Sequence, residues 1–219
     1  MSSPTPSSPT LSSPTSSSSP IARLLESTES VSWLDGPATA VRRFVRPIAD
    51  SPVGRVLHGE FLGHPLHPTL VAVPIGAWTS AAVFDLLFHR PDAARRLLGL
   101  GLVAVPPTLL TGWSDWSRCS TVQRRVGLVH AVTNVAGIAL TAASYRRRRC
   151  APGSSRSAVA LSLAGLGLVG AGGALGGHLV FALGSGTSPA VSATVVPDPD
   201  AHGPAYDPVL AEPIAPEDR

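Results

Sequence analysis

The chain has 219 residues, 44% of them hydrophobic and only 14% charged, against about a quarter charged in an ordinary water-soluble domain. All 17 basic residues are arginine, set against 14 acids for a net charge of +3, an excess too small to suggest a nucleic-acid partner. Its two cysteines have no CxxC or CxxH neighbour, which excludes a disulfide framework and a thiolate zinc site.

Residues 2–20 are Ser, Pro or Thr except Leu11. That composition predicts a disordered tail over 1–20 and no signal peptide. Residues 21–63 form an arm in which Val41, Phe44, Val45 and Ile48 recur at helical spacing among Arg42, Arg43 and Arg46, with a helix start at Asp35, Gly36 and Pro37. Either this amphipathic juxtamembrane arm lies on the lipid surface or it packs on the protein's own surface.

The next part, 64–186, holds four long apolar runs, at about 68–88, 97–113, 126–145 and 158–183. Each is near the roughly 20 residues that cross a hydrocarbon core about 30 Å thick. Residues 66–184 also carry eleven arginines and three acids, with the arginines clustered between the runs, the pattern of a multi-pass membrane protein. Pro106 and Pro107 predict a kink in the second run, its freed carbonyls meeting Thr108 or Thr111, with a re-entrant second segment as the alternative. The tail over 187–219 is acidic and predicted to be disordered. The expected fold is all-α, an up-down-up-down four-helix transmembrane bundle with disordered tails. Eight arginines near one face against four near the other place both termini outside.

Up-down topology gathers His64 and His67 before the first span, His130 in the third and His178 in the fourth into one layer, with Asp115 at the end of the second. Histidines on different helices can ligate haem iron or another metal. The pair predicted for axial ligation is His130 with His178; His64 or His67 could replace one, and Arg124 and Arg125 could meet haem propionates. The competing reading for each histidine is a hydrogen bond to Asn134, Asp115 or a carbonyl. In the third span His130, Asn134, Gly137, Thr141 and Tyr145 form a polar or small stripe. In the fourth, Gly173 and Gly177 allow either close helix contact or room for a flat macrocycle. Asp85 is read as a proton-transfer carboxylate or as the partner of Arg90, Arg95 or Arg96.

GHPLHPTLVAVPIGAWTSAAVFDLL, TGWSDW, RRVGLVHAVTNVAG and GGALGGHLVFALG, in this order, resemble the uncharacterised bacterial four-span membrane family catalogued as domain of unknown function 2231. The resemblance covers about residues 58–186 and implies a plasma-membrane protein; the lysine-free, Arg-rich and Ala-rich composition is what an actinobacterial member would show. Some relatives continue into a Rieske domain, which implies a redox context; this chain has no Cys-His pairs after the fourth span and cannot hold that cluster itself. Many relatives carry His where this chain has Ala72, so that part of a family ligand set is missing here.

These observations lead to an integral membrane protein, not an enzyme on its own, with a histidine-lined haem b or metal site exchanging electrons with a redox partner protein and a homo-oligomer as a further expectation. The alternative is a scaffold or accessory subunit whose histidines only pack helices. A transporter using Asp85 and His130 is a third reading.

Overall fold

A computed structural model describes residues 19–150 and 155–186; the tail expectations for 1–18 and 187–219 lie outside the described residues. The arm contains α1 (Pro20–Ser27), α2 (Asp35–Ala49) and α3 (Pro52–His58), joined and followed by short 3-10 turns. The apolar runs form α4 (His67–Leu86), α5 (Pro91–Ser117), α6 (Thr121–Cys150) and α7 (Arg156–Phe181). There is no strand among the described residues.

Local sequence explains where these elements start and stop. Ser19 and Ser51 accept hydrogen bonds from the amides of Ala22 and Gly54 at 3.1 and 3.3 Å, and a proline follows each in the first turn, where its missing N–H is harmless. Gly59, at φ 82°, closes α3 in the left-handed conformation that glycine adopts without strain.

The four long helices have 20, 27, 30 and 26 residues, and each is long and apolar enough to cross a membrane. At about 1.5 Å per residue, even the shortest reaches 30 Å. Small side chains make up much of their interior, Ala77, Ala81, Ala94, Thr111, Ser114, Thr141, Ser144 and Ser162 being buried beside a few large ones such as Trp78 and Leu98, whereas Leu100, Val103, Leu110, Val132 and Phe181 are exposed. A water-soluble bundle would reverse that arrangement. In lipid, large apolar side chains gain nothing from turning inward, and close packing favours small residues. The chain is therefore an all-α, multi-pass membrane bundle.

α4 packs mainly on α5 and α6 on α7, and these two hairpins meet less extensively. The α6–α7 contact is backbone-close: a Cβ on either Gly137 or Gly165 would lie 2.8 Å from the other's carbonyl oxygen. α5 runs without a break through Pro106 and Pro107, so the re-entrant alternative is set aside. The threonine hydroxyls do not meet Leu102 O and Val103 O, the i−4 carbonyls that the prolines free: Thr108 Oγ1 donates to Ala104 O at 2.8 Å, and Thr111 Oγ1 to Thr108 O at 2.9 Å.

The arm lies against one end of the bundle, with α2 on α5 and α6 and α3 on α5. Leu34 and Ala38 join Trp116 and Leu128 in a small core there. Arg42 Nε donates to Ser117 O at 2.8 Å and Arg118 Nη2 to Ala49 O at 3.1 Å. One face of the arm therefore packs on the protein itself.

Candidate functional site

Between the two hairpins, at the end carrying the arm, lies a cavity of about 490 Å³ lined by all four long helices. That is within the roughly 300–1,000 Å³ of small-molecule sites. Its walls are largely apolar, among them Val71, Ile75, Trp78 and Val105, with His67, His130, Asn134 and Asp115 as polar members.

His67 is the first residue of α4, and its ring lies on the bare backbone of Gly112, where a Cβ would come within 2.7 Å of Cε1. Its Nδ1 is 2.9 Å from Thr108 O. His130 projects from α6, with Nδ1 2.7 Å from Gly172 O. The two rings are edge-on, with centroids 6.5 Å apart.

A carbonyl oxygen only accepts, so in each neutral ring the proton sits on Nδ1 and Nε2 keeps its lone pair. No hydrogen bond from the described residues reaches Nε2 of His67. The Asn134 amide nitrogen donates to His130 O at 2.8 Å and lies 3.3 and 3.4 Å from the two ring nitrogens. With the proton on Nδ1, the longer of these two contacts brings the amide to the Nε2 lone pair of His130.

The glycines of α7 divide between two tasks. A Cβ on Gly172 would collide with the Asn134 amide, and one on Gly176 would come within 3.2 Å of His130 Cε1, so both make room for α6 side chains. Gly173 and Gly177 line the cavity, and Gly173 has nothing within 4 Å of its Cβ position. They leave space beside the helix rather than a close helix contact.

A family model described as Predicted membrane protein (DUF2231) matches residues 63–189, more than half of the 219-residue chain. The chain belongs to this family. Its DUF2231 region contains α4 to α7 and the whole cavity, while most of the arm precedes it. No curated protein and no solved structure matches the chain.

Within the DUF2231 region the expected site residues separate. His67 and His130 both line the cavity, but His178 does not: its Nε2 is 2.7 Å from Glu29 Oε1 on the arm. The pair brought together is thus His67 with His130, not His130 with His178. His64 is exposed, with Nδ1 3.2 Å from the carbonyl of Pro65. Arg124 donates to Cys119 O at 2.5 Å and Thr121 Oγ1 at 3.1 Å. Arg125 holds both carboxylate oxygens of Asp35 at 2.6 Å and the Glu29 carbonyl at 2.9 Å. Neither arginine lines the cavity.

Asp85 pairs with Arg148 rather than with Arg90, Arg95 or Arg96, at 2.7 Å and at the opposite end of the bundle from the histidines. Asp115 lines the cavity and is held 2.6 Å from Nδ1 of His58. His58, Glu29 and Arg148 are the partners that the residue pattern did not single out. Among the described residues no three His, Cys, Asp or Glu side chains converge as a metal site.

Proposed function

We propose that this DUF2231 protein is a plasma-membrane redox subunit in which His67 and His130 would hold the iron of a b-type haem. One observation carries the reading: both imidazoles are tied by Nδ1–H to backbone carbonyls, Thr108 O and Gly172 O. That is the outer-shell bond that fixes a ligating histidine's tautomer and directs Nε2 to a metal. Two imidazoles are too few for a bare zinc or other ion, which takes three or four protein ligands. They are enough for haem iron, where the macrocycle supplies the remaining nitrogens. Gly173 and Gly177 give the cavity wall room for a flat ring system.

Such a group, when bound, passes single electrons. The chain's own residues orient the two nitrogens, keep water out through apolar walls and hold the site near one end of the bundle, within reach of a redox partner protein.

The reduced-minus-oxidised optical spectrum of protein expressed with added haem tests this. Sharp haem bands are expected in the wild type and in His178→Ala, and their loss in His67→Ala and His130→Ala. A colourless, metal-free and folded wild-type protein would sink the proposal. It would favour the scaffold reading, which the His178–Glu29 and His58–Asp115 pairs support because both tie the arm to the bundle.

A further inference from the structure

A second concave site, sharing no residue with the histidine cavity, lies where α2 crosses the start of α6. This open groove of about 470 Å³ is lined by Arg42, Arg43, Arg46 and Arg124, with Asp50 as the acid among its lining residues. Four guanidiniums against one carboxylate leave an excess of three positive charges in one small volume. The hydrogen bonds from Arg42 to Ser117 O and from Arg124 to Cys119 O position those side chains without neutralising them. The one ion pair, Arg46 Nε to Asp50 Oδ2 at 3.2 Å, has both partners more than half exposed and is worth little in water. Burial, with Arg46 and Arg124 beside it, holds the Arg42 guanidinium below its ordinary range. The groove therefore favours an added anion, and guanidinium forks suit phosphate oxygens.

An apolar stripe adjoins it. Phe44 is 77% exposed and Ile48 56%, one turn apart on α2, and Pro47, which lines the groove, lies only about 60° around the helix from Phe44. The groove stands where α5 ends and α6 begins, at the end of the apolar spans, the level at which arginines meet lipid head groups.

We propose that this groove binds the phosphodiester head group of an anionic phospholipid, whose acyl chains run along Phe44 and Ile48. A free phosphate would use the arginines alone, whereas the exposed stripe beside them fits a molecule that is anionic at one end and apolar at the other. The assignment is independent of the haem reading.

Native mass spectrometry of the full chain in detergent, titrated with phosphatidylglycerol or phosphatidylcholine, tests it. Saturable binding with a clear preference for phosphatidylglycerol is expected. Each arginine near an anionic lipid is worth about fivefold in affinity, so Arg43→Gln/Arg46→Gln should lose about thirtyfold of that preference, while Arg43→Lys/Arg46→Lys keeps most of it. Both side chains are exposed, and an unchanged circular dichroism melt will show that the variants fold. Equal binding of the two lipids, or an undiminished preference in the folded glutamine variant, would overturn the proposal. Displacement of phosphatidylglycerol by an equal concentration of inorganic phosphate would also overturn it, in favour of a free-anion site.

Discussion

Asp85 and Arg148 face each other through two hydrogen bonds, Nη1 to Oδ1 at 2.8 Å and Nη2 to Oδ2 at 2.7 Å, with both side chains only 2% exposed. Arg148 Nε also donates to Ser144 Oγ at 3.2 Å and Nη2 to Ser162 Oγ at 3.3 Å, so one guanidinium ties α4, α6 and α7 together. Charged groups at this depth persist only when paired and hydrogen-bonded, and here they are.

Removing one member should therefore be much worse than removing both. Asp85→Leu or Arg148→Met leaves an uncompensated buried charge and is expected to cost about 3–5 kcal/mol. The double variant replaces the pair with apolar bulk and should recover most of that loss. Thermal unfolding in detergent checks it: two low midpoints for the single variants and a near-normal one for the double.

Neighbouring glycines on α7 should respond in opposite ways. Gly173 faces open cavity, so Gly173→Leu gains about 0.8 kcal/mol of helix propensity and its Cβ meets no protein atom. It should melt no lower than wild type yet lose bound haem, because the side chain fills the cavity. Gly172→Ala drives its Cβ into the Asn134 amide and should lower the midpoint. A full haem signal in Gly173→Leu would show that the ligand sits elsewhere.

The four spans were legible because long apolar runs need no tertiary information, and the histidine layer followed from up-down topology. The histidine pairing did not follow, although helix geometry contains the reason. Gly172 and Gly176, one turn apart, mark the side of α7 that meets His130, and His178, two residues beyond Gly176, lies about 200° around the helix. It therefore turns away from His130 and meets Glu29. Glu29 itself was hidden, since no periodicity says where the arm docks. Arg148 could have been found: the topology that gathers the histidines at one face puts Asp85 and the arginines ending α6 together at the other.

The arm's attachment should weaken in acid. Arg125 hydrogen-bonds the Asp35 carboxylate and holds its pKa below the ordinary range. A carboxyl depressed in the folded state stabilises that state above its unfolded pKa, and the contribution disappears as pH falls through the folded value. Protection from hydrogen exchange over residues 20–49, taken relative to the intrinsic rate at each pH, should thus be high at neutral pH and be lost only below the usual carboxylate range. In Asp35→Asn it should already be lost at neutral pH. Identical exchange in the two proteins would mean that this pair does not hold the arm.

Cys119 offers a reporter on the cavity itself. It lines the edge with Ser185, its Sγ 3.4 Å from Ser185 Oγ, whereas Cys150 is exposed at the far end of α6. Burial pushes the Cys119 thiol up, and the hydrogen bond with Ser185 offsets part of that shift. The thiolate is the nucleophile, so N-ethylmaleimide at pH 8 should label Cys150 quickly and Cys119 slowly. The Cys119 rate should keep rising with pH beyond the point where an ordinary thiol levels off. In a Cys150→Ser background, a group bound between His67 and His130 should slow Cys119 further, because thiol and rings border the same cavity. Equal Cys119 rates in haem-loaded and haem-free protein would place any bound haem outside that cavity, and with it would go the assignment of His67 and His130 as its ligands.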